Sequence, residues 1–337
     1  MLRFYLASLG PAVLLALGAL LGGPWAGAGL FTVTVAVFFA DKWNGPAQPS
    51  AAAGDALSVL VGLSHFALLV LGIVALAGPM PVAEKIALFV GLSLWFGQVS
   101  NSNAHELIHR SARPLRRLGV AVYASMLYGH HASAHPLIHH VHAATDKDPN
   151  SAPRGMGFYL YAVRAWVGAF RAGFRAEAAR RAGWRHPYIG YAAGAAATIA
   201  AAAALAGSTG VIALVLIAAY AQAQLLLSDY VQHYGLRRRI LSTGKAEPIG
   251  PAHSWNAPHW ASAAMMLNAP RHSDHHMRPG RAFPALELRP DMPMLPHSLP
   301  VMAVLALFPP VWRRVMDRRV DAVLAAQAGP AAPAMAG

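Results

Sequence analysis

The sequence predicts an all-α integral membrane protein of about six transmembrane helices carrying a cytoplasmic, histidine-rich cap. Three observations predict it. Apolar residues make up 56% of the 337-residue chain and charged residues only 12%, a deficit of charge that soluble domains do not show. Apolar runs recur at roughly the 18 to 22 residues a helix needs to cross a bilayer's hydrocarbon. Of the 17 histidines, all but His65 lie in or beside the polar blocks between those runs.

The spans are read in order at 5–22, 26–41, 56–78, 86–104, 188–208 and 210–230. Arg3 ahead of the first run resembles the start of a secretory signal, but five more runs follow and no cleavage site stands out, so the run reads as a retained span. The second is short and interrupted by Gly27 and Gly29. The last two form a pair rich in alanine and glycine, as in 195–204, and small residues let membrane helices approach closely. The chain therefore divides into residues 1–104, four spans ending at a first histidine motif; 105–186, a cytoplasmic segment with a second motif; 187–230, two spans; and 231–337, a cytoplasmic tail with a third and fourth. The apolar run from Pro300 to Pro309 is too short to span and is expected on the membrane surface. The alanine- and proline-rich last dozen residues read as a frayed end.

The net charge of +13 would suit nucleic acid, but its distribution favours a membrane. Eleven arginines and one lysine lie between His105 and His186, and twelve basic residues between Arg237 and Arg319. With Arg3 and Lys42 on the same side, only Lys85 is left for the other. Lys and Arg favour cytoplasmic loops, which puts both termini and both long polar segments in the cytoplasm. Such a face attracts anionic lipid or an acidic protein. The chain has no cysteine, which excludes haem-thiolate ligation, iron–sulfur clusters and disulfides.

The histidines cluster with ligand-like spacing. His105 and His109 are one helical turn apart on one face, a pair that is more often solvated or capped than metal-bound. His135, His139 and His140 are spaced by four and one; His272, His275 and His276 by three and one. In each, a helical turn aims the first histidine and one of the adjacent pair the same way, and the remaining neighbour toward a second ion. His233 ends the sixth span at the same face. Together these are nine imidazoles, too many for one ion and suited to two. Imidazole serves zinc, copper, iron and nickel alike, which leaves the metal open.

These motifs resemble the membrane-bound alkane 1-monooxygenases, within the superfamily of membrane fatty-acid desaturases and hydroxylases. The resemblance rests on His105 to His109 followed by Arg110; on His135 to His140 followed by Ala144-Thr145-Asp146-Lys147-Asp148-Pro149; on Asp229 to Leu236; and on Arg271-His272-Ser273-Asp274-His275-His276. It implies two non-haem irons held by His105, His109, His135, His139, His140, His233, His272, His275 and His276. It also implies dioxygen as co-substrate and electrons from a rubredoxin or ferredoxin with its NAD(P)H reductase, in a bacterial inner membrane. This chain departs from the family pattern at Ala134 and Gln232, where glutamates are usual, and at Ile108 and Ile138, where glycines are. The linear alkane is therefore a less secure expectation than the reaction.

Glu106, Asp146, Asp148, Asp229 and Asp274 are the candidate acceptors for imidazole N–H groups, although each also reads as an ordinary loop or helix-end charge. A fatty substrate is expected to enter from the bilayer, along a path for which Phe38, Phe39, Trp95 and Phe96 are candidates. An acidic donor would dock on the basic face, with Arg237 to Arg239 as the test site. The rival readings are a desaturase or an acyl, sterol or aromatic hydroxylase of the same superfamily; an intramembrane zinc protease with Glu106 as base; and a metal transporter, whose ligands would spread across the membrane depth.

Overall fold

A computed structural model describes the chain except for Asn44 and residues 46–48, 51–53 and 329–337. Four long helices come first: α1 (Leu2–Leu21), α2 (Pro24–Trp43), α3 (Asp55–Ala77) and α4 (Val82–Ile108). After them come α5 (Arg113–Ser125), α6 (131–142), α7 (Phe158–Ala178) and α8 (Pro187–His233). The remainder is loop with four shorter helices, α9 (Trp260–Met265), α10 (His272–Met277), α11 (Leu299–Ala306) and α12 (Pro309–Ala328). Of the expected frayed end, 326–328 belong to α12 and the rest lies outside the described residues.

Among the described residues five helices, α1 to α4 and α8, are long and apolar enough to cross a membrane. The fifth consists of two helical arms. Run straight, its 47 residues would measure roughly 70 Å, about twice a bilayer. The chain instead reverses at Ala206 and Gly207, the latter at φ 59° and ψ −150°, a conformation that glycine adopts without steric cost. The reversal is tight enough that a Cβ on Gly210 would lie 2.5 Å from the carbonyl oxygen of Ala202. The alanine-rich pair seen in the sequence is thus a helical hairpin, and the molecule is a multi-pass integral membrane protein. Its outer faces are apolar, with Leu6, Leu20, Leu63, Val74, Ile212 and Leu216 all exposed.

The interior is joined to the cap by specific bonds. The carboxylate of Asp41, buried at the end of α2, accepts from the backbone N–H groups of Ala261 and Ser262 at 2.7 and 2.9 Å. It thereby satisfies donors of the first turn of α9 that have no partner within that helix. His65, the one histidine within a span, is a structural residue. Its ring is held between the hydroxyls of Ser100 and Ser125 at 2.6 and 2.8 Å. Trp95 and Phe96 are fully buried, and Trp95 Nε1 donates to Ser8 O at 2.8 Å. They belong to the core, the commoner place for such aromatics, which leaves Phe38 and Phe39 of the four candidates for an entry path. In the cap, Trp255, Trp312, Met316 and Val320 pack with Tyr230 and Tyr234 of the α8 end.

Three helices contain one turn of π-helix, at 32–36 in α2, 96–100 in α4 and 135–139 in α6. Such turns insert one residue into the helical register and are frequent at functional sites.

Candidate metal centre

Four elements meet where the membrane helices end. α4 delivers His105 and His109 and α8 delivers His233, while the cap contributes His135, His139 and His140 from α6 and His272, His275 and His276 from α10. The nine imidazoles fall into two groups, each with its ligand atoms within 4.8 Å of one another. His105, His109, His135, His140 and His275 form one; His139, His233, His272 and His276 form the other.

The spacing suits metal ligation. In the first group Nε2 of His135 lies 2.7 Å from that of His105 and 2.9 Å from that of His140. In the second, His272 Nε2 lies 2.9 Å from His233 and 3.1 Å from His276. With metal–nitrogen bonds of about 2.1 Å, adjacent ligands at right angles are about 3 Å apart. His109 Nε2 and His139 Nε2 are buried with no hydrogen-bond partner, a costly arrangement that an ion relieves. Burial and the neighbouring imidazoles hold His135, His140, His272, His275 and His276 well below the usual histidine range. Burial brings His109 down to about 4. Neutral imidazole is the ligating form. The residues fit a non-haem metal site.

Both adjacent pairs are divided between the groups, by opposite choices. In α10 the ordinary helical turn puts His272 with His276, four residues on, and sends His275 across. In α6 the π turn adds a residue to the register, so His135 is joined by His140, five residues on, and His139 crosses. Four-residue spacing alone would have joined His135 to His139.

Of the five candidate carboxylates, one reaches an imidazole of the two groups. Asp148, fully buried, accepts from His139 Nδ1 at 2.9 Å and from Ser151 Oγ at 2.7 Å. Its other oxygen accepts from Asn150 N at 3.0 Å. Burial disfavours both ions, but their attraction prevails, so Asp148 is held below the usual carboxylate range and His139 is raised. The other four candidates serve elsewhere. Glu106 accepts from Phe283 N at 3.0 Å and pairs with Arg110 at 2.8 Å. Asp229 accepts from Asn150 Nδ2 at 2.7 Å, one layer behind Asp148. Asp274 accepts from Arg281 and from Glu287 N, each at 3.0 Å. Asp146 stands 96% exposed beside Arg237, because the turn that points Asp148 inward points it to solvent.

Two of the four departures from the expected motif, Ala134 and Gln232, have local reasons. A Cβ on Gly173 of α7 would lie 3.1 Å from Ala134 Cβ, so the helices touch there and a longer side chain has no room. A buried carboxylate in this neighbourhood comes from α7, where Glu177 accepts from Ser133 Oγ at 2.7 Å. Gln232 donates to Ala269 O at 3.1 Å, tying α8 to the loop before α10. A carboxylate has no hydrogen to donate in that position.

His131 stacks on Tyr128, with ring centroids 5.3 Å apart, and belongs to neither group. Alanine at His131 or at Asp146 is expected to leave metal content per chain unchanged by elemental analysis. A loss of metal in either variant would mean that the ligand set is wrongly drawn.

A narrow cavity of about 60 Å³ touches His105 and His272. It adjoins an apolar one of about 550 Å³, whose walls include the α2 π turn, Phe38 and Phe39. Gln98, Gln224, Pro300 and Ala303 line both. The run 300–309, expected on the membrane surface, thus supplies part of a cavity wall through α11. Gln98 and Gln224 were not singled out from the sequence, although an amide within a membrane span is a signal in itself.

The chain matches the fatty acid desaturase family over residues 77–300. It is 34% identical over 238 residues to alkane 1-monooxygenase 2 of Pseudomonas aeruginosa, covering 68% of this chain and 63% of that protein. It is 34% identical over 256 residues to alkane 1-monooxygenase 1 of Alcanivorax borkumensis, covering 72% and 61%. With alkane 1-monooxygenase of Ectopseudomonas oleovorans the identity is 32% over 256 residues, covering 72% and 62%. The chain thus spans somewhat under two thirds of the length of these relatives.

Proposed function

Since the chain belongs to the fatty acid desaturase family, we propose that it is a non-haem di-iron monooxygenase that hydroxylates an alkyl chain, an alkane or a related molecule, at its terminal carbon. The observation that carries this reading is the sorting of nine imidazoles into groups of five and four, with each adjacent pair shared between them. Relatives named alkane 1-monooxygenase support the substrate class.

Held by these nine residues, two irons supply the activation of dioxygen that C–H hydroxylation requires. In the net reaction the substrate, dioxygen, a pair of electrons and a pair of protons become alcohol and water. The chain's own residues position and exclude. Asp148 holds the His139 ring with Nε2 turned into its group. The apolar outer cavity takes the alkyl chain out of the bilayer, and the narrow inner one admits its end to His105 and His272. On this reading the termini and cap lie on the cytoplasmic side of a bacterial inner membrane, and the distribution of lysine and arginine supports that side.

Electrons come from a separate protein, of rubredoxin or ferredoxin type, with its reductase. Arg237 to Arg239 are poor candidates for its dock, because Arg238 bonds Glu247 O and Val141 O and Arg239 pairs with Glu247. Reversing them would disturb the cap. On α12, with Trp312, Met316 and Val320 buried beneath, Arg313, Arg314, Arg318 and Arg319 are exposed. Charge reversal at Arg314 and Arg318 together is expected to slow donor-dependent turnover about tenfold at low salt, with the gap closing as salt rises. An unchanged rate and salt profile would remove α12 from the interface.

The deciding experiment is elemental analysis of protein purified in nanodiscs, followed by turnover of a medium-chain alkane under labelled dioxygen. About two irons per chain and an alcohol carrying the label are expected. An alkene would mean a desaturase. Zinc without iron and no consumption of dioxygen would overturn the proposal.

A further inference from the structure

The walls nearest the imidazoles are more polar than an alkane needs. On α4, Gln98, Asn101 and Ser102 line the inner cavity; on α8, Gln224, Ser228 and Gln232 face them. Three of these six groups are bonded within the protein. Asn101 Nδ2 donates to Ala221 O at 2.9 Å, and Ser228 Oγ to Gln232 Oε1 at 3.0 Å. Gln98 is different. Its Oε1 is buried and has no donor in reach.

The position of Gln98 gives that atom a use. It sits in the π turn of α4 and lines both the inner and the outer cavity, as does Gln224. The two helices are pressed together here, since a Cβ on Gly97 would lie 2.6 Å from Gln224 Cβ. Glycine at 97 thus lets the two amides come together where the inner and outer cavities adjoin. His105 is seven residues along the same helix, about 10 Å further in. A plain hydrocarbon lying beside the two amides leaves the Gln98 carbonyl dry and unpartnered, which disfavours it. A chain with a hydroxyl or N–H at that point satisfies it.

We propose that Gln98 accepts a hydrogen bond from the substrate. On this proposal the preferred substrate is an alkyl chain bearing a donor group, a hydroxyl or an amide N–H, set back from the terminal carbon that reaches the imidazoles. The outer cavity holds the chain beyond the donor. This inference rests on the hydroxylase reading above and names its substrate class. Sites built around a buried polar group discriminate strongly against ligands that cannot pair with it.

The test is a scan. Medium-chain alcohols with a single internal hydroxyl, moved along the chain, are compared with the parent n-alkane in two measurements. One is terminal hydroxylation by the loaded enzyme; the other is binding to metal-free protein in nanodiscs, read by calorimetry. In the natural protein one hydroxyl position is expected to exceed the alkane about tenfold in both measurements. In Gln98→Leu, and in the unbranched Gln98→Met, the peak should vanish, so that no hydroxyl position exceeds the alkane in either measurement. A flat scan in the natural protein, or a peak that survives both substitutions, would overturn the assignment. Absence of any hydroxylation alongside a Gln98-dependent binding peak would sink the hydroxylase reading and leave the hydrogen bond standing.

Discussion

Alanine at His139 is expected to reduce bound iron from about two per chain to about one and to lower hydroxylation by more than about 100-fold. His139 belongs to the group with four imidazoles, so its loss leaves three, whereas the five-membered group keeps its full set. The substitution also strands Asp148, fully buried, whose charge is balanced by that ring. A buried carboxylate deprived of its partner is strongly destabilising, so some loss of thermal stability should accompany the loss of metal. Two probes separate the effects. Elemental analysis reads the metal, and thermal unfolding of metal-free protein reads the stranded charge. Retention of both irons with full turnover would rule His139 out as a ligand.

Alanine at Asp148 is expected to weaken metal binding by about 10- to 100-fold, the usual consequence of removing the acceptor behind a ligating histidine, without removing any ligand. Its signature is pH dependence. In the metal-free protein Asp148 is depressed and His139 raised. Asp148 thus contributes stability above its unfolded value, near 3.8, and that contribution is lost as pH falls through its lower folded value. His139 contributes stability below 6.5, and that is lost as pH rises through its higher folded value. The natural metal-free protein should therefore be more stable in mild acid than Asp148→Ala, and the two should converge at both extremes. Equal stability across that range, with unchanged metal affinity, would mean that the pair is incidental.

The architecture was readable because a bilayer imposes long apolar runs and because histidine has no business in such numbers near lipid. Even the hairpin of α8 was visible as two runs. Which histidines gather was readable from spacing and from the family motif. That each adjacent pair divides was readable as well; which member crosses in α6 was not, because sequence spacing assumes an ordinary helix and α6 is not one between His135 and His139. The carboxylates were less legible still. Five acidic residues lie beside the motifs, yet of these only Asp148 meets a ring: Glu106, Asp229 and Asp274 turn from their helices to other partners, and Asp146 and Asp148 are aimed by the turns of 143–151, which have no periodicity. Asn150 and Ser151, which hold Asp148 in place, adjoin it in sequence and were the available clue. The aromatic path failed at Trp95 and Phe96 for a related reason. Apolarity says that a side chain avoids water, and not whether it faces a neighbour or a passage.

Each cap helix that carries an adjacent histidine pair answers to both groups at once. Filling one group therefore settles α6 and α10 in the posture the other requires, so the second ion arrives at a site already arranged. Loading should be cooperative: titrating metal-free protein would yield a mixture of empty and fully loaded molecules, with half-loaded ones scarce. The same coupling narrows what mutation can explore. A single residue inserted in α6 between His135 and His139 would put His139 where His140 now stands and disturb both ions in one step, so the π turn and the spacing of the histidines beside it depend on each other.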